Sequence, residues 1–293
     1  MKKKGMTLGL LLSGAGILIL LYMTGESYLN GLAGANQQMQ ADTKEYMYKY
    51  DMIVDNPESS FWQAVYASAE KWARENDSLL ELKGTDEESQ YTKLDYMNVS
   101  IASRADGIPV VTLMNDAVHS KRQTFVGVSD YQLGSAYGEK VADYVTRDTK
   151  NILILLKRNI DDMNQSQIYT QISNAAQAKT GAGQPVTVSV KNLLSSGTFG
   201  TEEAVTDIFQ QRNKVPDILV CMDADTTECA RQAVLDFNLA GKVTIIGYYT
   251  SPDILTAVEK GVLALTCDVD TEQMGKYSIE ALTEFQKDGR SNS

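Results

Sequence analysis

The sequence predicts an α/β fold of two lobes, each a parallel sheet covered by helices. Three observations carry this expectation. Apolar, β-branched runs recur along the chain, and between them apolar residues return at helical spacing. The run at residues 152–156 is continuously apolar, as a strand buried on both faces must be. A polar stretch at residues 146–150 divides the alternation into two series.

The first series opens with a strand at 48–54, closed by Asp55-Asn56-Pro57. Ser60 reads as the N-cap of a helix over 61–76, whose apolar positions Phe61, Val65, Ala69 and Trp72 share one face. A short strand follows at 79–82, an amphipathic helix at 87–103, strands at 109–114 and 124–128, and a helix at 133–145. The second series runs strand 152–156, helix 165–178, strand 185–190, helix 202–212 and strand 217–222. It continues with helix 226–239, strand 242–248, helix 252–260, strand 262–267 and helix 271–286. Strands that alternate with helices form parallel sheets with helical cover. The expected architecture is therefore two Rossmann-like lobes, residues 46–146 and 147–293.

The N-terminus carries a separate signal. Lys2, Lys3 and Lys4 are followed by no charge until Glu26. The uncharged run 5–25 is long enough to cross a hydrocarbon core of about 30 Å, and the lysines keep its leading end cytoplasmic. One reading is a signal peptide cleaved after Ala33-Gly34-Ala35; the other is an uncleaved signal anchor. The length of the run and the lack of a following lipid-accepting Cys favour the anchor. Residues 1–25 are thus a signal anchor or signal peptide, and the small, polar residues 26–45 a stalk. The body is expected at the outer face of the cytoplasmic membrane.

Composition narrows the function classes. The chain has 293 residues, 43% hydrophobic and 22% charged, which is ordinary for a globular protein. Lys plus Arg number 27 against 38 Asp plus Glu, a net charge of −11 that is unsuited to nucleic acid. His119 is the only histidine and lies in a polar run that reads as a surface loop, which rules out a His-rich metal site. Cys221, Cys229 and Cys267 have no CxxC spacing and read as core thiols. No P-loop, GxGxxG or GxSxG follows a strand, and the segment GSAYGEK (residues 134–140) falls inside a helix. No nucleophile–base pair stands out, so no catalytic residue, cofactor or metal is expected.

Ligands of open α/β sheets sit outside the carboxyl ends of the strands. That rule points to Asp55-Asn56, Asn115-Asp116, Ser129-Asp130, Asp223 and Tyr249.

DMIVDNPESSFWQAVYASAEKWA (residues 51–73) resembles the opening strand and helix of type I periplasmic sugar-binding proteins, the ribose-binding-like group. IPVVTLMNDAVHSKRQTFVGVSDYQLGSAYGEKVADYV (residues 108–145) resembles that family's next hallmark. KVTIIGYYTSPDILTAVEKGVLALT (residues 242–266), followed by Gln273-Met274-Gly275, resembles its second-lobe hallmark. The resemblance spans residues 48–285. It implies two lobes that close on a small sugar, with aromatic rings on its apolar face and planar polar groups on its hydroxyls. It places Phe61 and Trp62 at the paired aromatics, and Asn56, Asp116 and Asp223 among the polar ligands. Asn115, Tyr249 and Asp270 complete the candidate set, although the family's pattern departs at Met114-Asn115, at Tyr249 and around Val269. Those substitutions imply a more apolar pocket, or a site that has drifted.

Two further departures concern the lobes. Residues 104–108 run straight into Pro109, where relatives carry another strand and helix, so the first lobe is expected to lack a strand–helix unit. The family's final strand after the last helix is also missing. The implied function is extracytoplasmic binding of a small sugar, for delivery to an ABC permease or for presentation to a membrane sensor histidine kinase. An exported doubly wound enzyme acting on a small polar substrate is the alternative.

Overall fold

The computed structural model describes residues 46–84, 108–114, 122–157, 166–180, 185–193, 198–210 and 215–288. The anchor and stalk segments, the expected helix at 87–103, His119, Asn115 and Asp116 lie outside these residues, as does most of the stretch around the expected missing unit. Among the described residues no helix is long and apolar enough to cross a membrane.

The first strand, β1 (Tyr48–Val54), alternates outward charge with inward Tyr50, Met52 and Val54. It is followed by helix α1 (Ser60–Glu75) and then by strand β2 (Ser78–Gly84), which runs parallel to β1 in register Tyr48↔Ser78. Helix α1 buries Phe61, Val65, Ala69 and Ala73, a stripe with helical period. Its cap is Ser59 rather than the expected Ser60, and the Ser59 side chain makes no capping hydrogen bond. The outer face of the pair carries exposed ion pairs, Lys49 with Glu81 at 2.6 Å and Lys83 with Asp51 at 2.7 Å.

Two short strands follow, β3 (Val111–Leu113) and β4 (Thr124–Val126), paired parallel as a second ladder. Where a single first-lobe sheet was expected, the described residues thus form two separate two-stranded ladders, one of them only three residues long.

The rest of the chain builds one five-stranded parallel sheet. Its strands are β5 (Asn151–Leu156), β6 (Thr187–Asn192), β7 (Ile218–Cys221), β8 (Thr244–Tyr248) and β9 (Leu265–Cys267), in the order β6-β5-β7-β8-β9. The crossovers are helices α3 (Gln167–Thr180), α4 (Thr198–Gln210), α5 (Ala224–Asp236) and α6 (Pro252–Glu259). Ile152, Ile154 and Val220 bury one face of this sheet and Leu155, Leu219 and Ile245 the other. Both faces are dry, which explains the unbroken apolar run of β5.

Two helices tie distant parts of the chain together. Helix α2 (Asp130–Tyr144) packs along α3 and belongs to the five-stranded sheet, although it precedes the polar stretch at 146–150. A Cβ at its Gly134 would lie 2.7 Å from the Ile168 Cα of α3, so only glycine permits this approach. The glycines of the GSAYG segment thus serve helix packing. Helix α7 (Thr271–Asp288) returns to α1, where a Cβ at Gly275 would lie 2.6 Å from the Val65 carbonyl oxygen. Cys221 is buried, and Cys229 and Cys267 are half-buried; all three are free thiols.

Candidate functional site

The strand order reverses at β5, whose neighbours β6 and β7 lie on opposite sides of it. The connections leaving the carboxyl ends of such strands diverge and open a crevice. Lys157 is the first residue after β5, and Met222 and Asp223 are the first after β7. Asp55 and Asn56 follow β1, Met114 follows β3, and Tyr249 follows β8. Of these, Asp55, Met114, Lys157, Met222 and Asp223 line one cleft, although their strands belong to three sheets.

Asp223 caps α5. Its carboxylate accepts from the Thr226 backbone N–H at 2.9 Å and from the Thr226 hydroxyl at 2.9 Å. Asp225, one residue into the helix, aims back at the crevice. The Lys157 ammonium donates to Asp55 at 3.1 Å and to Asp225 at 3.2 Å, and the Asn56 amide donates to Asp225 at 3.2 Å. The Lys157 side chain is only 11% exposed and that of Asp225 16%, whereas that of Asp55 is 53% exposed.

Burial raises the Asp223 carboxyl to about 6, and Asp225 pushes in the same direction, against the opposing pull of the Thr226 hydrogen bonds and Lys157. For Lys157 burial alone would favour the neutral amine. Asp55, Asp225 and Asp223 outweigh it and hold the ammonium above its ordinary value. The Cys229 thiol is pushed up to about 12, by burial first and then by Asp225, Glu202 and Asp223. Among the described residues the cleft is lined by one cation, Lys157, and three carboxylates, Asp55, Asp223 and Asp225.

These groups line a cleft of about 540 Å³, including its open mouth. The apolar part of its wall is Phe61, Trp62, Met114, Met222 and Tyr248. Phe61 is 4% exposed and centres an aromatic cluster, with Trp62 at 4.9 Å, Tyr249 at 5.3 Å and Tyr248 at 5.9 Å, all edge to face. Trp62 is half-buried and keeps part of its ring toward the cleft. The Tyr248 hydroxyl lies 3.5 Å from the Met114 sulfur. Met114 and Tyr249 have φ of 61° and 68°, a left-handed conformation that bulky residues seldom adopt and that clusters at binding sites.

The expected residues divide as follows. Phe61, Trp62 and Asp223 line the cleft, and Asn56 reaches its Asp225 wall. Tyr249 packs behind Phe61, with its hydroxyl donating to the Ser60 carbonyl at 3.4 Å. Asp270 lies at the start of α7 and accepts from the Gln273 N–H at 2.8 Å. Lys157, Asp225 and Ser59 also line the cleft and were not singled out from sequence. For Lys157 the available signal was its position directly after the most apolar strand. Among the described residues no cluster of His, Cys, Asp and Glu is arranged to hold a metal ion.

A half-aromatic, half-polar cleft at the switch point of a parallel sheet is the place where open α/β folds take small molecules. The chain belongs to the periplasmic binding protein family: the family's periplasmic binding protein domain matches residues 101–290. No curated protein sequence matches it. Among solved structures it is similar to GanP, a glucose-galactose binding protein from Geobacillus stearothermophilus, at 18% identity and TM-score 0.68, covering 85% of this chain and 94% of that one. It is similar to the XylFII–LytSN complex at 19% identity and TM-score 0.66, covering 84% and 96%. It is also similar to an ABC transporter solute-binding protein from Agrobacterium vitis with bound D-fucose, at 15% identity and TM-score 0.64, covering 84% and 91%. At these identities the likenesses show the fold. The family is one of substrate-binding proteins.

Proposed function

We propose that the chain is an extracytoplasmic binding protein for a small sugar, held in the cleft between the β1–β4 region and the five-stranded sheet. Residues 5–25 tether it to the outer face of the cytoplasmic membrane. The observation that carries the reading is the pairing of a partly open Trp62 ring with the Asn56, Asp55, Asp223 and Asp225 acceptors and donors across one cleft. A pyranose has one apolar face for stacking and a rim of hydroxyls for such groups. The named ligands of the GanP and D-fucose structures support this class.

On this reading Trp62 stacks on the sugar with Phe61 backing it, and Asn56 and Asp223 bind hydroxyls; Asn115 and Asp116, outside the described residues, are proposed as further ligands. Tyr249 and Asp270 border the site. The lobes divide at about Ser129, so that α2 moves with the second lobe and α7 with the first. Sugar binding shifts the balance between open and closed arrangements. The closed form is delivered to an ABC permease or presented to a sensor histidine kinase; the likeness to the XylFII–LytSN complex supports the second route. A thermal-shift screen of the full chain against mono- and disaccharides tests the reading. A cognate sugar at 100 times its Kd adds about 2.7 kcal/mol of stability. A panel that leaves the melting temperature unmoved throughout overturns it.

A further inference from the structure

Three carboxylates and one ammonium meet in this cleft among its described lining residues: Asp55, Asp223, Asp225 and Lys157. The ammonium is spent. It is bonded to Asp55 at 3.1 Å and Asp225 at 3.2 Å, and little of it reaches solvent. The Asn56 amide, which could donate to an anion, is likewise turned onto Asp225 at 3.2 Å. Among the described lining residues, what faces an incoming ligand is mainly acceptor oxygens and aromatic surface. Hydroxyl and ammonium groups satisfy acceptors; a carboxylate or phosphate cannot, and in this partly desolvated wall it would face like charges.

We propose that the Asp55–Lys157–Asp225 triad makes the cleft select on charge, admitting neutral and amino sugars and rejecting acidic ones, uronic acids and sugar phosphates alike. The proposal rests on the sugar-binding reading and narrows it. Asp225 is the specificity-determining residue, because it holds the Lys157 ammonium and the Asn56 amide N–H group away from the ligand, leaving the Asn56 carbonyl oxygen to accept from hydroxyls. Asp225→Asn keeps the side chain's shape but removes one of the charges that hold the ammonium, so that Lys157 can turn further toward an anion.

The test uses the full chain carrying Trp72→Phe, so that Trp62 is the remaining tryptophan. Its fluorescence is quenched by caesium and by iodide, each normalised to neutral acrylamide. Binding of glucose, glucosamine and glucuronate is then measured by calorimetry. Caesium is expected to quench Trp62 at least twofold better than iodide, with the ratio falling in Asp225→Asn. Glucose or glucosamine is expected to bind at least tenfold tighter than glucuronate, and Asp225→Asn to narrow that gap at least tenfold. A caesium-to-iodide ratio that Asp225→Asn leaves unchanged overturns the proposal without reference to any sugar. Glucuronate binding as tightly as glucose also overturns it. A normal quenching result with no binding of any of these sugars upholds the charge assignment and counts against the sugar reading instead.

Discussion

The hydroxyl of Tyr137, in the middle of α2, donates to the carbonyl oxygen of Gly247 in β8 at 2.8 Å, joining residues 110 positions apart. Tyr137 is fully buried, and burial holds its phenol well above the ordinary range, so it stays a donor at all relevant pH. The bond fixes α2 onto the five-stranded sheet. Tyr137→Phe keeps the packing and removes the donor. It should lower stability by about 1 kcal/mol, read as a shift of the denaturation midpoint without change in slope.

Phe61 and Trp62 are adjacent in sequence and differ in role. Trp62→Ala should weaken sugar binding by about 2 kcal/mol with a modest effect on unfolding. Phe61→Ala removes the centre of a buried aromatic cluster and should cost about 3 kcal/mol of stability. Calorimetric affinities and denaturant melts of both variants check the division. Equal stability losses would place Trp62 in the core as well.

Asp223 makes stability fall with rising pH. Its folded value is about 6 against an ordinary 3.8, so between these values the folded state binds more protons than the unfolded one. The unfavourable contribution is absent below pH 4 and complete above pH 6. If Asp223 acted alone it would amount to about 3 kcal/mol. Asp223→Asn retains an acceptor for the α5 cap and should flatten this slope in thermal melts from pH 4 to 7. Sugar hydroxyls that donate to the ionised carboxylate should bind more tightly as pH rises from 5 to 7.

The proposed anchoring by residues 5–25, behind three lysines, can be checked directly. The expressed protein should remain with membranes after a high-salt wash. N-terminal sequencing that begins at Asn36 would identify cleavage instead.

Much of the element order was legible because it depends on local pattern. The period of Phe61, Val65 and Ala69 marks α1, and the apolar run at 152–156 marks β5 to within one residue. The carboxyl-end rule reached Asp55, Asn56 and Asp223 for the same reason, since strand ends are local features. What it missed is long-range. Lys157 looks like any lysine after a strand until Asp55, 102 positions away, and Asp225, 68 positions away, are folded onto it. Likewise, periodicity shows that α2 has an apolar face but not which sheet covers it. The left-handed Met114 and Tyr249 leave no trace in composition, because such a conformation is ordinarily read from glycine or asparagine.

The return of α7 to α1 has a consequence for how the protein is made. The apolar stripe of α1, with Val65, Ala69 and Ala73 almost wholly hidden from water, is among the first described segments to leave the ribosome, while the helix that packs on it is the last. The β5–β9 region, whose strands and crossovers are contiguous, has its partners at hand during synthesis. The earlier half must wait, with an uncovered α1, for residues 271–288 to emerge. Nascent chains stalled before α7 should therefore carry a protease-resistant second half and a susceptible first one. During export it is the amino-terminal half that most needs a chaperone.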